Sequence, residues 1–483
     1  MAVASAVPER SSGASEGPSV NVNDVHSQLN STRVLQVLRP ESVTDVQQIV
    51  RTARNDRKVI SVSGGRHAMG GQQFGTDTLL LDLRSLNKVF HLDRERGIVE
   101  VQAGIEWPDL IDGYLALQDG DRRSWGIAQK QTGADRLTIG GAIAANAHGR
   151  GLKMRPFISD VESLTLVDGM GEAHNCSRTE NPELFRLVHG GYGLFGVVTS
   201  VRLRLVPRTK VERVVEIRAV DDLMAGFEKR ISDGFLYGDF QFSVEPDSED
   251  FLRKGVFSCY RPVPLETPIP STEKQLSDEN WRQLLYLAHT DKKKAFERYA
   301  EYYLSTNGQV YWSDTHQLSI YPDGYHREID EKLHAPVPAT EVIGEIDVPR
   351  QRLKGFFDDV REDFRRNNVE LIYGTVRLIE RDDESFLPWA KQPYACTIFN
   401  LHTVHTAAGI QRTSGTFRRL IDMAARRGGN FYLTYHRDAT RAQMENCYPQ
   451  FAEFLELKKK YDPEERFQSE WYREYGGMFR GRS

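Results

Sequence analysis

The chain has 483 residues, 39% of them hydrophobic and 10% aromatic, which is enough for about two to four domains with sizeable cores. With 63 basic against 68 acidic side chains the formal net charge is -5, so there is no global basic footprint and nucleic acid is not an expected partner. Cys176, Cys259, Cys396 and Cys447 lie far apart without C-x-x-C spacing, which argues against a zinc knuckle or disulfide framework and fits a reducing cytoplasm; no run of about 18 apolar residues offers a membrane span.

Residues 1–22 are rich in Ser, Ala, Gly and Pro, and Glu9 and Arg10 interrupt any apolar run, so they read as a disordered tail rather than a signal peptide. A helix-periodic segment at 42–53 and a strand-like run at 59–62 lead into Ser63, Gly64, Gly65, Arg66, His67, Ala68, Met69, Gly70, Gly71 and Gln72. So many glycines let the backbone come very close to a large ligand. The turn runs into a strand pattern at 78–83 and opens no helix, which excludes P-loop and Rossmann readings.

Strands at 89–92 and 98–103 pair around the turn at 93–97, and 107–117 has helical spacing. The small-residue run at 140–151 can pack only against something large and smooth. A strand at 164–167 with the turn Asp168-Gly169 predicts a hairpin. Gly191, Gly193 and Gly196 fit G-x-G-x-x-G, but a helical pattern (Pro182, Leu184, Phe185, Val188) precedes them and a strand at 201–205 follows. The dinucleotide fingerprint needs the reverse order. Val206-Pro207 closes this first part.

From residue 209 the strands and amphipathic helices lengthen into a second, α+β domain. Phe240, Phe242 and Val244 alternate as a strand; 293–303 reads as a helix; Val342, Ile346 and Val348 mark a strand ending at Pro349; 358–367 is a charged helix. Tyr373, Thr375 and Arg377 fall on one face of the next strand. His402 and His405 form an H-x-x-H, but residues three apart on a strand point to opposite faces, and no metal site is expected. Residues 441–483 return to helix and aromatic turn, with Lys458, Lys459 and Lys460 as a solvated helix face.

These blocks carry a family resemblance. The turn at 63–72, the segment 79–87, Val101-Gln102-Ala103-Gly104, Thr138-Ile139-Gly140-Gly141-Ala142 and the run 190–198 resemble, in the same order, the vanillyl-alcohol-oxidase (PCMH-type) FAD-binding oxidoreductases. Asp462-Pro463 through Phe467 resembles that family's closing segment. Ala147-His148-Gly149-Arg150-Gly151 is most similar to its sugar-acting members: aldonolactone oxidases, alditol oxidases and decaprenylphosphoryl-ribose oxidases.

The resemblance implies an α+β fold with a two-subdomain PCMH-type FAD-binding domain at 23–208. A substrate domain at 209–440 with a mainly antiparallel sheet follows, and 441–483 returns to the FAD domain. FAD contacts are expected from Ser63, Gly64, Gly65, Arg66, His67, Ala68, Gly71, Gln72, Thr138, Gly140, Gly141, Ala144, Asn146, His148, Gly149, Gly196, Val197 and Val198. Backbone amides of glycine turns would hold the pyrophosphate. His67 matches the histidine that relatives join to the flavin 8α-methyl. Arg66 stands where a glycine is usual, and a register shifted by one residue would leave the flavin non-covalent. The implied reaction moves a hydride from a hydroxyl-bearing carbon to flavin N5, with O2 or another acceptor reoxidising the flavin. His436 is the expected base and Arg377 the group that polarises a hydroxyl or stabilises reduced flavin, with His402 and Tyr373 as further catalytic candidates. Arg150, Lys153, Glu345 and Arg377 are assigned to the substrate. Thr375 replaces a usual carboxylate, which favours a ring-closed sugar or glycoside over a linear alditol. The alternatives are an FAD-dependent dehydrogenase or C=C reductase of a non-carbohydrate substrate, and a flavin-binding component without turnover.

Overall fold

The computed structural model describes residues 19–120, 124–271 and 273–480. The tail expected over residues 1–22 lies outside the described residues as far as residue 18. Val20–Val22 is strand rather than tail: it pairs with Thr32–Val34, and Val22 and Val34 are buried with Phe74 and Leu80.

The helix Val43–Asn55 starts in a capping box between Ser42 and Asp45 and buries Val46, Val50 and Ala53, the spacing that points one helical stripe at a sheet. Beneath it, Gln36–Leu38 and Ile60–Ser63 flank Leu79–Asp82 in a three-stranded parallel sheet. A five-stranded antiparallel sheet follows, and it contains both expected hairpins, Val89–Asp93 with Ile98–Gln102 and Val161–Val167 with Ala173–Ser177. Around Gly191 the order is helix Pro182–Val188, then strand Val197–Arg204. The small-residue run opens as a short helix, Ile139–Ala145, capped by Thr138 and ended by Asn146 in the left-handed region.

Residues 210–431 build an eight-stranded antiparallel sheet in which Tyr237–Phe242, Leu371–Ile379, Tyr394–Val404 and Ala339–Pro349 lie side by side. The helices Leu353–Arg366 and Ala407–Ala425 cover one face with buried Phe356, Phe364 and Phe417. Phe417 lies so close to Gly344 that a Cβ there would stand 2.1 Å from the ring. The other face carries Asp239, Gln241, Glu341, Ile343, Tyr373, Thr375 and Arg377 into a cavity, as strand alternation requires. Two more helices, Asp278–Thr290 and Lys292–Ser305, close that cavity from the side.

The C-terminal residues pack back on the parallel sheet, where Ile60 N–H donates to the Arg466 carbonyl at 2.7 Å and Gln468 N–H to the Ile60 carbonyl at 2.8 Å. Here the solvated-lysine reading fails for one residue. Lys458 is fully buried and paired with Asp462, while Lys459 and Lys460 are exposed. Asp462 accepts the backbone N–H groups of Arg466 and Phe467, and a buried carboxylate in that position requires a cation beside it.

Candidate active site

A cavity of about 990 Å³ runs between the glycine turn and the open face of the eight-stranded sheet, at the upper end of ordinary small-molecule pockets (roughly 300–1,000 Å³). Its floor consists of Ser63, Gly64, Gly65, Arg66, His67, Ala68 and Gln72, then Thr138, Gly140, Gly141, Ala144 and His148, then Gly196 and Val198. The first two glycine blocks press on each other. A Cβ on Gly64 would stand 2.1 Å from Thr138 Oγ1, and one on Gly65 would stand 2.1 Å from the Arg136 carbonyl. Arg66 sits at φ 61°, a conformation that favours glycine. Its guanidinium turns away to Asp82 at 3.4 Å, so the arginine takes a backbone conformation favoured by glycine while keeping its charge paired.

Four residues expected at the cofactor do not line the cavity. Gly71 backs onto the side chains of Arg437 and Glu470. Asn146 ends its helix, donating to Asp382 at 2.9 Å and accepting from Ile158 N–H. Gly149 is packed against the Lys130 carbonyl. Val197 points into the core under the parallel sheet, because Gly196 and Val198 take the cavity side and strand residues alternate.

The floor fits a large polar ligand. Ser63 Oγ, Arg66 Nε, Gln73 Oε1 and Thr132 Oγ1 are buried without a hydrogen-bond partner, and all four residues line the cavity. Leaving such groups unmet costs about 1–3 kcal/mol each, so a flavin's phosphates, ribityl hydroxyls and ring edge are suited to them. Gln72 fastens this floor to the opposite wall by donating to the carbonyls of Leu433 and Thr434 at 2.9 and 3.0 Å.

His67 faces the cavity with its Nδ1 2.9 Å from Nε2 of His26, and the edge of Tyr321 packs on His26 at 4.4 Å. Burial pushes His26 down to about 4, and burial followed by the neighbouring His26 pushes His67 down to about 3. Both rings are therefore neutral at pH 7. In the unfolded chain each takes a proton below about 6.5, so folding free energy is fully present above that pH and falls as pH drops toward 4. The loss is up to about 1.4 kcal/mol per pH unit for each ring. Urea unfolding of flavin-free protein between pH 7 and 5 should show this decline, and His26→Asn should flatten it; an unchanged slope would contradict the assignment.

The sheet wall brings Tyr373, Thr375 and Arg377 together as expected. Among the described residues Arg377 has no ion-pair partner, and its buried Nε has no hydrogen bond. Arg150 also lines the cavity, 3.6 Å from Asp239 and 3.4 Å from the Tyr260 hydroxyl. His436 does not reach the cavity. Its ring stacks on Phe417 at 4.2 Å, on the helix-covered face, while its neighbour Tyr435 lines the cavity. His402 points to Glu341 at 3.5 Å and does not itself line the cavity. Glu345 is fully buried beneath His148, at 2.8 Å from its Nε2, and so orients a floor residue instead of meeting substrate. Lys153 is exposed and outside the cavity. His26, Asp239, Tyr321 and Glu341 carry no local sequence signal and were missed.

Among the described residues no helix is long and apolar enough to cross a membrane. A family model described as an FAD binding domain matches residues 34–177, and one described as D-arabinono-1,4-lactone oxidase matches residues 201–475. A putative D-arabinono-1,4-lactone oxidase of Neurospora crassa is 33% identical over 171 residues, covering 35% of this chain and 29% of that protein. Mouse L-gulonolactone oxidase is 30% identical over 174 residues, 35% of this chain and 37% of its own. Cytokinin dehydrogenase 8 of Oryza sativa subsp. indica is 32% identical over 186 residues, 35% and 34% respectively. The matched stretches thus span about a third of these relatives. The lactone-oxidase model covers more than half of the chain, and with an FAD-binding α+β domain ahead of it the chain belongs to the D-arabinono-1,4-lactone oxidase family.

Proposed function

We propose that the protein is an FAD-dependent oxidoreductase that oxidises a hydroxyl of a sugar-like substrate: a sugar, aldonolactone, glycoside or polyol. The observation that carries this reading is Arg377, an arginine without a carboxylate partner among the described residues, on the wall of a cavity whose floor holds His67 and four unmet polar groups. When bound, FAD supplies the hydride acceptor at its N5. Arg377 would draw the substrate oxygen and ease departure of its proton, because an unneutralised cation in a water-poor site favours developing negative charge. Tyr373, on the same strand face, would donate a hydrogen bond to that oxygen, since burial raises its phenol above the usual range and keeps it protonated. Arg150 with Asp239 would hold further hydroxyls, and Thr375, small and uncharged, leaves space for a ring-closed sugar or glycoside.

His67 would tether the flavin by one bond, O2 or another acceptor would reoxidise it, and the protein would work in the cytoplasm, where four buried unpaired cysteines are at home. The second reading, a dehydrogenase of a non-carbohydrate substrate, draws on the aromatic flank of the cavity formed by Trp281, Phe296, Tyr299 and Tyr303. Both readings require FAD. Purified protein should be yellow and hold about one FAD per chain, as expected for a cavity of cofactor size; a colourless preparation that takes up no added FAD would remove both.

A further inference from the structure

At the edge of the cavity two histidines and a glutamate from distant parts of the chain converge. Glu341 lies directly opposite His402 in the register of their antiparallel strands, and His289 reaches them from the last turn of Asp278–Thr290. Glu341 Oε1 is 3.0 Å from His289 Nε2 and 3.5 Å from His402 Nδ1, and the three donor atoms all lie within 4.8 Å of one another. We propose that His289, Glu341 and His402 bind one divalent first-row transition-metal ion, a site independent of which substrate the flavin serves.

Three features favour a metal over a plain hydrogen-bonded cluster. His289 Nε2 is buried 3.0 Å from the Glu341 carboxylate without a well-aligned hydrogen bond to it, which leaves its lone pair available to an ion held between the ligands. The two imidazoles are 5.0 Å apart and nearly perpendicular, as suits ligands approaching one ion from different directions. Donors about 2.0–2.2 Å from a zinc ion sit a little over 3 Å from each other in a tetrahedron, close to the two carboxylate–imidazole separations of 3.0 and 3.5 Å.

The ligand set is two imidazoles and one carboxylate, an N/O combination that suits Zn²⁺, Fe²⁺ or Mn²⁺ better than a soft thiolate-seeking ion. The hydroxyl of Tyr325 donates to the other carboxylate oxygen, Oε2, and such an outer partner fixes a ligating carboxylate. Glu341, Tyr321, Tyr325 and Tyr373 all border the cavity, so the remaining coordination position would be filled from that side by water or a ligand oxygen. The H-x-x-H spacing misdirects here. His405 is bound to Thr340 Oγ1 at 2.8 Å and takes no part, while His402 finds its partners across the sheet.

The test uses the flavin-loaded protein, incubated with Zn²⁺ or Co²⁺ and desalted, with metal and FAD quantified together. Wild type should retain about one metal per chain, and His289→Ala and His402→Ala should each lower retention at least about tenfold with FAD content unchanged. His405→Ala should retain it. With Co²⁺, wild type should show ligand-field bands to the red of the flavin absorption. If the two alanine variants fail to fold, the wild-type stoichiometry and the Co²⁺ spectrum decide. Wild type holding less than about a tenth of an equivalent, or both folded variants holding as much metal as wild type, would overturn the proposal while leaving the flavin reading intact.

Discussion

Arg377→Met is expected to slow anaerobic flavin reduction by about 100- to 1,000-fold with FAD content unchanged, the range for removing one preorganised charge-stabilising group. The size follows from isolation: Arg377 forms no ion pair among the described residues and its buried Nε has no hydrogen bond, so its charge is available to an oxygen in the cavity. His436→Ala is the matched control. Its ring lies against Phe417 on the far side of the sheet, so reduction should stay within about threefold of wild type while unfolding stability drops by about 2–4 kcal/mol, the cost of emptying an aromatic core position. Stopped-flow reduction of the two variants separates the roles. Equal slowing by both would return His436 to the chemistry.

The second large effect concerns the tether. Acid-precipitated wild-type protein should keep its flavin, peptide mapping should place the adduct on His67, and His67→Ala should release essentially all of it. The physical ground is that His67 is held neutral by burial, faces the cavity, and has Nδ1 engaged by His26 at 2.9 Å. Arg66, the alternative occupant of that place, is turned toward Asp82. Complete release of flavin from denatured wild type would favour the shifted register.

The glycine turn, the reversed context of Gly191 and the common face of Tyr373, Thr375 and Arg377 were legible because each rests on local rules: backbone freedom, element order and a period of two. The failures came where a neighbour in space decides. Tyr435 and His436 are adjacent, and the stacking of His436 on Phe417 leaves Tyr435 to face the cavity. Val197 lies between two cavity residues and is lost to the core by the same alternation that reveals them. Lys458 looks like its two solvated neighbours until Asp462 is placed beside it. His402 was read with His405 because they are close in sequence, whereas strand register gives it Glu341 and a helix gives it His289. His26 had no signal at all, since nothing in its own segment ties it to residue 67.

The central claim is that the cavity takes a multiply hydroxylated, carbohydrate-like alcohol, and anaerobic bleaching of the bound flavin across a panel of compounds tests it most directly. A pocket built to satisfy hydroxyls rejects analogues that leave its polar groups unpaired by as much as about 10⁴-fold. Aldonolactones, sugars or glycosides should therefore bleach the flavin, while aliphatic alcohols, phenols and amines of similar size should leave it yellow. Faster bleaching by a phenolic alcohol or an amine than by every carbohydrate tested would contradict the account.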